Sequence, residues 1–130
     1  MHRILQPEGW PRPKGYSNGI AARGETIYVA GQVGWDTAGV FPKGLAAQFR
    51  KTIENTLAVL KAGGAGPEHI VRMTWYITDR AAYLQQAAEI GAIWRELLGR
   101  VYPAMAVVQV TALMEAEALI EIETTAVVVG

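Results

Sequence analysis

Two carboxylates near the C-terminus are the side chains best suited by type and spacing to do chemistry. Glu121 and Glu123 lie in the stretch LIEIETT, where they alternate with isoleucines. Because side chains along a strand point alternately to its two faces, both carboxylates are expected to project from one face. A solvated or salt-bridged pair is one interpretation. Alternatively, one carboxylate lies in a partly buried cleft, where a raised pKa would let it pass protons or orient a water molecule near neutral pH.

The stretch AGQVGWD is the second candidate region. Gly31 and Gly34 fall inside a pattern that predicts a strand. A glycine within a strand leaves room for a ligand or another backbone to approach closely, or it marks a β-bulge. Both interpretations remain open. Trp35 and Asp36, which follow, are either a core residue with a turn cap or the rim of a pocket.

Metal and cofactor chemistry find no support in the sequence. The chain has no cysteine, which excludes thiol catalysis, disulfides and cysteine-based zinc sites. Its two histidines, His2 and His69, are expected to be solvated surface residues without the partners that a triad or a metal cluster needs. Dinucleotide-binding, P-loop and HExxH patterns are absent. We therefore expect neither a metal nor a cofactor.

The composition predicts one globular domain, residues 1–130, with 51% apolar and 18% charged residues. Twelve basic and twelve acidic residues cancel, whereas phosphate contacts supply most of the affinity of nucleic-acid binders. Nucleic acid is therefore not the expected partner. The N-terminus lacks the apolar region of a signal peptide, and no run reaches the roughly 18 apolar residues that span a bilayer. A soluble, cytoplasmic protein with no membrane association is the expectation.

The elements that must position these candidates are predicted in the order β-β-α-β-α-β-β. The first two strands, SNGIAAR and ETIYVAGQVGW, are expected to pair across a tight turn at RGE. Residues 45–62 repeat apolar side chains at three- and four-residue steps, which predicts an amphipathic helix. Gly63 and Gly64 supply its end, because glycine adopts the left-handed conformation of a helix C-terminus without steric cost.

A second helix is predicted after the strand HIVRMTWYIT. Asp79 is a good N-cap for it, and Gly99 is its end. Two strands, roughly 105–113 and 118–128, complete the chain. The apolar stripe predicted to face the core from this helix consists of Leu84, Ala87, Ala88, Gly91, Trp94 and Leu98.

The predicted fold class is an α/β sandwich in which two helices cover one face of a single mixed sheet. The strands carry apolar residues on both parities, as where Ala106 and Val108 oppose Val107. A sheet that is apolar on both sides must bury the second side, and no further chain is available to cover it. We therefore predict a homo-oligomer.

Five stretches match the motifs of a known family. They are KGYSNGI, VAGQVGWD, QFRKTIENTLAVLKAGGAGPEHIVRMTWYITD, YPAMAVVQV and LIEIETTAVVV. On these stretches the chain resembles the RidA family, also called the YjgF or L-PSP endoribonuclease-like family, over nearly its whole length. The resemblance implies a chorismate-mutase-like α+β fold, a homotrimer and small-molecule clefts between its subunits. It also implies hydrolytic deamination of reactive imines and enamines without a metal or cofactor.

The resemblance assigns roles to individual residues. Glu121 matches the glutamate that holds the attacking water, and Tyr16 matches the tyrosine of the family's P-Y motif, so both are implied catalytic residues. Gly31 matches the glycine whose backbone lies against the substrate, and Ala30 precedes it.

The family's carboxylate-binding arginine is missing. Where the family motif reads P-A-R-S, this chain has Pro103 to Ala106, with Met105 at the arginine position. Met105, Val107 and Trp35 suggest a more apolar substrate pocket, and Trp94 lies near Gly91, which replaces a family asparagine. A substitute cation would have to come from elsewhere in the chain, for example Arg23, Arg72 or Arg100.

Three functions follow as hypotheses. The first is a divergent deaminase in which Glu121 activates water. The second is a non-catalytic small-molecule binder or a trimeric interaction module, suggested by Met105 and Ala106. The third is RNA cleavage, an activity attributed to some relatives, which the neutral net charge disfavours.

Overall fold

The computed structural model describes residues 2–129. Within that range, no helix is both long and apolar enough to cross a membrane. A short 3₁₀ turn, Pro67–His69, precedes the fourth strand. The elements run in the order β1 (Arg3–Leu5), β2 (Gly19–Ala21), β3 (Glu25–Val33), α1 (Leu45–Ala62), β4 (Ile70–Ile77), α2 (Arg80–Gln85), α3 (Ala87–Leu98), β5 (Ala104–Gln109) and β6 (Ile120–Val128).

Four strands form one mixed sheet in the order β3-β6-β4-β5. β6 is antiparallel to both of its neighbours, whereas β4 and β5 are parallel. The helices α1 and α3 pack on one face, here called the helix face. Since residues paired in register share a face, the opposite, open face carries Tyr28, Arg72, Thr74, Tyr76, Val108, Glu121, Glu123 and Thr125.

The core lies between the two helices and the helix face of the sheet. Phe49 and Ile53 of α1 are fully buried there against Ile122 of β6 and other strand residues. The ring of Trp75 lies at its centre, 5.0 Å from the ring of Phe49 and 5.8 Å from that of Trp94. Burying one such side chain contributes about 1.5–3 kcal/mol, so these residues hold the helices to the sheet.

Several predicted elements are confirmed. The structure has the predicted mixed α+β architecture with two main helices on one face. The first helix has the predicted bounds, residues 45–62, and Gly64 beyond its end has a φ of 77°. Asp79 caps the next helix, since its carboxylate accepts a hydrogen bond from the N–H of Ala82 at 3.1 Å.

The prediction of a single second helix is wrong, because this segment forms two helices, α2 and α3, separated at Gln86. The Gln86 side chain accepts a hydrogen bond from the N–H of Ala46 in the first turn of α1, which links the two helices at the break. The predicted core stripe is wrong at Leu84, which is 52% exposed, and at Ala87 and Ala88, which are also exposed, but Trp94 and Leu98 are buried as predicted. Beyond Gln86 the core-facing residues are Ile90, Ile93, Trp94 and Leu98.

The predicted pairing of the first two strands is also wrong. β3 takes β6 as its partner from its first residue, with Glu25 opposite Val128. The N-terminal arm, here residues 2–18, supplies the partner of β2 instead, and β1 and β2 form a separate two-stranded ribbon. β5 ends at Gln109, earlier than predicted, because its partner β4 ends at the paired Ile77.

The open face is less apolar than predicted. Tyr28 is 80% exposed and Val108 41% exposed on it, but Arg72 and Glu123 lie on the same face. Val107 instead projects to the helix face and packs against the core. The homo-oligomer stays a prediction.

Candidate functional site

A β-bulge in β3 brings Gly31 against Glu121. Val29 pairs with Thr124 and Gln32 with Ile122, so β3 contains one residue more than β6 between the two pairs. A Cβ on Gly31 would lie 2.9 Å from Cδ of Glu121 and would overlap with its Oε2. The φ angle of Gly31 is not positive, so glycine is required here for space and not for backbone conformation.

The Glu121 carboxylate is available to a ligand. Its side chain is half-buried on the open face, and within residues 2–129 it takes part in no side-chain hydrogen bond or ion pair. Glu123, two residues further along, differs because it accepts a 2.7 Å hydrogen bond from the Tyr76 hydroxyl. That bond raises the pKa of Tyr76, since the carboxylate favours the protonated hydroxyl. Of the pair, Glu121 is the one without a side-chain partner within residues 2–129.

Gly34 and Trp35 anchor the end of β3. A Cβ on Gly34 would lie 2.8 Å from the Cα of Gln48, so this glycine admits the backbone of α1. The Asn55 side-chain amide donates to the carbonyl of Trp35 at 2.9 Å, and the Trp35 ring packs 5.7 Å from the ring of Phe41. Trp35, 36% exposed, thus lies at the start of a well-tethered loop close to the Gly31 bulge.

Asp36 is a turn cap. Its carboxylate accepts hydrogen bonds from the N–H groups of Ala38 at 2.8 Å and Val40 at 2.9 Å. These bonds, the one from Val40 first, lower the pKa of Asp36. The turn-cap interpretation is confirmed for Asp36, but the core position expected with it for Trp35 is wrong, because that side chain is 36% exposed.

A second group of candidates lies at the opposite edge of the sheet. Met105 of β5 borders a cavity of about 200 Å³, here called the Met105 cavity, together with Trp75, Trp94 and Tyr102. The Trp94 indole N–H donates to the carbonyl of Val101 at 3.1 Å, which fixes the ring. Trp94 is only 7% exposed, so it is a core residue whose edge forms part of the cavity wall.

Tyr16 borders an adjoining cavity of about 400 Å³, here called the Tyr16 cavity. The two cavities share Gly15 and Tyr102. Ser17 docks this part of the arm to the start of β5, since its N–H donates to the carbonyl of Pro103 at 3.0 Å and its hydroxyl to the carbonyl of Tyr102 at 2.5 Å. Tyr16, 39% exposed, is thereby held beside the Met105 cavity.

Besides Glu121, Gly31 and Trp35, two further predicted site residues lie outside both cavities. Ala30 borders a depression on the open face with Tyr28, Arg72 and Glu123. Val107 is paired in register with Trp75 and packs half-buried against the core.

The sheet keeps the two groups of candidates apart within one chain. β3 and β5 are its opposite edges, three strand spacings or about 14 Å from each other. Glu121 shares the open face with Tyr76, whereas Met105 shares the helix face with Met73. The structure therefore brings Glu121 to Gly31 and brings Tyr16, Trp94 and Met105 together, but one chain does not bring the two groups to one cavity.

Sequence reasoning missed Lys14 and Arg95, which border the Met105 cavity. The proposed substitutes do not border it: Arg72 lines the open-face depression, and Arg23 lines a shallow pocket beside β2. Arg100 is not part of its wall either. Lys14 and Arg95 are about eighty positions apart, so no local spacing could have signalled that they meet. Within residues 2–129, no cluster of three or more histidine or acidic side chains is placed to hold a metal ion.

Comparisons with known proteins match this architecture. The family model described as Endoribonuclease L-PSP matches residues 11–128. A RutC family protein of Pyrococcus horikoshii is 33% identical over 129 residues, which cover 97% of this chain and 98% of that protein. A 2-iminobutanoate/2-iminopropanoate deaminase of Bos taurus is 30% identical over 78% of this chain and 72% of its own. The crystal structure of the Rid family protein YyfB from Yersinia pestis superimposes with a TM-score of 0.85 at 32% identity and covers 98% of both chains.

Proposed function

This chain belongs to the endoribonuclease L-PSP family, which includes the RidA/YjgF proteins, and we propose that it is a cofactor-independent hydrolytic deaminase of an imine- or enamine-type small molecule. An enamine first becomes its imine by moving a proton from nitrogen to the β-carbon. Water then adds to the carbon of the C=N bond, and the C–N bond breaks to release ammonia and leave a carbonyl compound. Glu121 accepts a proton from the attacking water and returns one to the departing nitrogen. The reaction consumes only water, so no oxidant or reductant is needed.

The observation that carries this proposal is the placement of Glu121 over the Gly31 bulge. The carboxylate is half-buried and free of side-chain partners within residues 2–129. A general base must reach its proton directly or through one water, and a carboxylate already bonded to a protein donor is less able to do so. The names of relatives such as the bovine imine deaminase support the same reaction class.

The substrate in this proposal differs from the small imino acids named for that relative. Met105 replaces the arginine that the family motif places at this position, and a methionine provides no charge-assisted bond to a carboxylate. Tyr16 and Gly31 shape the cleft. Trp94, Met105 and Tyr102 offer it an aromatic and thioether surface suited to a larger flat body.

The two groups of candidates complete one site in this proposal only between two copies of the chain. Three copies, arranged as a homotrimer, would place the Glu121 region of one copy beside the Met105 cavity of the next. The exposed Tyr28 and Val108 on the open face would be covered in such an assembly. Light scattering should give three times the chain mass of 14.1 kDa, and a monodisperse monomer at micromolar concentration would contradict the assembly.

The test of the mechanism is Glu121→Gln. Imines would be generated in situ by an amino-acid oxidase acting on amino acids with small and aromatic side chains, and release of ammonia followed. Loss of a general base typically costs about 10²–10⁴-fold in rate. The matched control is Glu123→Gln, which alters a carboxylate on the same strand and face. Unchanged hydrolysis by the Glu121 variant would refute the mechanism.

A non-catalytic small-molecule binder is the second candidate function. It is favoured by the replacement of the family arginine and serine by Met105 and Ala106. In a thermal-shift screen, a binder would be stabilised by ligands that are recovered chemically unchanged. Ammonia released by the wild-type chain, and lost in the Glu121 variant, would exclude this alternative.

A further inference from the structure

Three cationic side chains line the two adjoining cavities at the β5 edge. Arg12 borders the Tyr16 cavity, and Lys14 and Arg95 border the Met105 cavity. The described walls of these cavities include no aspartate or glutamate. The whole chain has equal numbers of acidic and basic residues, so positive charge is concentrated here well above its average.

The groove between α1 and α3 provides an internal comparison. It is larger, about 590 Å³, but its cations Arg50 and Lys51 face three glutamates. Arg50 is bound to one of them, Glu96, by two hydrogen bonds of 2.7 and 2.9 Å. No ion pair within residues 2–129 involves the three cations of the β5 edge, so their charge is available to an anionic ligand.

Arg95 and Lys14 both border the Met105 cavity, one from α3 and one from the N-terminal arm. Arg95 lies one helical turn beyond Gly91, and its Nη1 would be 3.5 Å from a Cβ at that glycine. The side chain therefore folds back along α3, over a position that has no side chain of its own. Lys14 belongs to the arm and precedes Gly15, whose φ of 82° turns the chain before Ser17 docks it to β5.

The same cavity also has an aromatic wall. The rings of Trp75 and Trp94 are 5.8 Å apart, and Tyr83 meets Trp75 edge-on at 6.2 Å. A cavity of about 150 Å³ is enough to hold benzene. The Met105 cavity, at about 200 Å³, therefore has room for one planar ring with a small substituent.

We propose that Lys14 and Arg95 form the anion anchor of this cleft, in place of the arginine absent at position 105, and that its ligand is a planar aromatic or conjugated carboxylate. The carboxylate binds the two cations, and the ring lies against Trp94 and Met105. This assignment rests on the proposed function in one respect, namely that both concern the same cleft. It describes ligand binding and does not require that the ligand is converted.

Calorimetric titration of the full chain with benzoate and with benzamide, its neutral counterpart, tests the anchor. We expect benzoate to bind the wild-type protein about tenfold more tightly than benzamide, in line with one charge-assisted bond. Arg95→Gln and Lys14→Gln should each weaken benzoate about five- to tenfold and leave benzamide unchanged. The matched control is Lys61→Gln, which removes the same charge from the last turn of α1 and should change neither ligand.

The proposal is overturned if benzamide binds as tightly as benzoate, if the cleft variants behave like Lys61→Gln, or if millimolar benzoate does not bind. The wild-type comparison of the two ligands needs no variant, so it decides even if a substitution prevents folding. Glu121→Gln separates this proposal from the proposed function. Unchanged hydrolysis by that variant refutes the mechanism and does not affect the anchor proposal. Equal binding of benzoate and benzamide refutes the anchor proposal and does not affect the mechanism.

Discussion

The region around Glu121 and the region around Met105 are built in opposite ways. Around Glu121 the backbone is closely fitted, with a bulge and a glycine against which the carboxylate lies without room for one more carbon atom. Around Met105 a cavity is lined by aromatic rings and bordered by Lys14 and Arg95. The first arrangement fixes one reactive group in place. The second, in our proposal, selects a ligand by shape and charge.

This difference bears on how the chain departs from its family. In the motif resemblance, the stretches around Glu121 and Gly31 match the family, and we infer that the clearest departure is at Met105. Gly31 and Met105 lie on the two edge strands of one sheet, and Glu121 and Met105 lie on its opposite faces. A change of substrate without a change of reaction is the outcome that such a layout favours.

The largest expected effect comes from Gly31→Ala, which tests whether the close fit around Glu121 matters for the reaction. The new methyl group would displace the Glu121 carboxylate, so we expect hydrolysis to fall about 10²-fold, as for a misplaced general base. The melting temperature should change little, because Gly31 has an ordinary φ and only the end of a flexible side chain has to move. Gly34→Ala is the control. It meets the backbone of α1 and should destabilise the fold by about 2–4 kcal/mol.

A smaller effect is expected from moving the anion anchor. The double variant Met105→Arg with Arg95→Gln keeps the net charge and restores the cation at the family position. Hydrolysis of small 2-imino acids should rise about tenfold, the value of one charge-assisted bond of about 1.5–3 kcal/mol at its lower end. Met105→Leu with Arg95→Gln is the control that lacks the new cation. Equal rates for the two double variants would show that position 105 no longer borders the reacting substrate.

The smallest expected effect is on stability towards unfolding at acid pH, and it concerns the Glu121 side of the molecule. The pKa of Asp36, in the loop that follows Trp35, is lowered from 3.8 by hydrogen bonds from Val40 and Ala38. A carboxylate with a depressed pKa in the folded state stabilises that state above its unfolded pKa, and the contribution is lost as the pH falls through the folded value. Asp36→Asn should therefore flatten the decline of the urea midpoint between about pH 5 and pH 3. Parallel pH profiles for variant and wild type would contradict this assignment.

Local patterns predicted the fold where local forces decide it. The period of residues 45–62 and the cap at Asp79 are short-range signals, and both are confirmed. The break at Gln86 was not predictable in this way, because that side chain bonds to Ala46, forty residues earlier. The partner of β2 was missed for a different reason. The arm has three prolines and two glycines, and such a composition does not predict a strand.

The same distinction between local patterns and long-range contacts applies to the candidate site. The bulge at Gly31 could be suspected from a glycine in a strand pattern, and Glu121 from alternation with isoleucines. Their mutual contact follows only from the register of β3 on β6. No sequence pattern predicted that Lys14 and Arg95 border one cavity. The arm is brought near α3 by tertiary contacts such as the hydrogen bond from Ser17 to the start of β5.

The placement of Glu121 and Met105 on opposite faces of one sheet also has a genetic consequence. In an assembly that builds each cleft from two copies, a chain defective at Glu121 still contributes an intact Met105 cavity, and a chain defective in that cavity still contributes an intact carboxylate. Two inactive alleles expressed together would then complement each other, because some of the mixed assemblies contain a cleft made of two sound halves. In the proposed assembly, the function would thus be a property shared by the subunits, and a second defective copy could restore it.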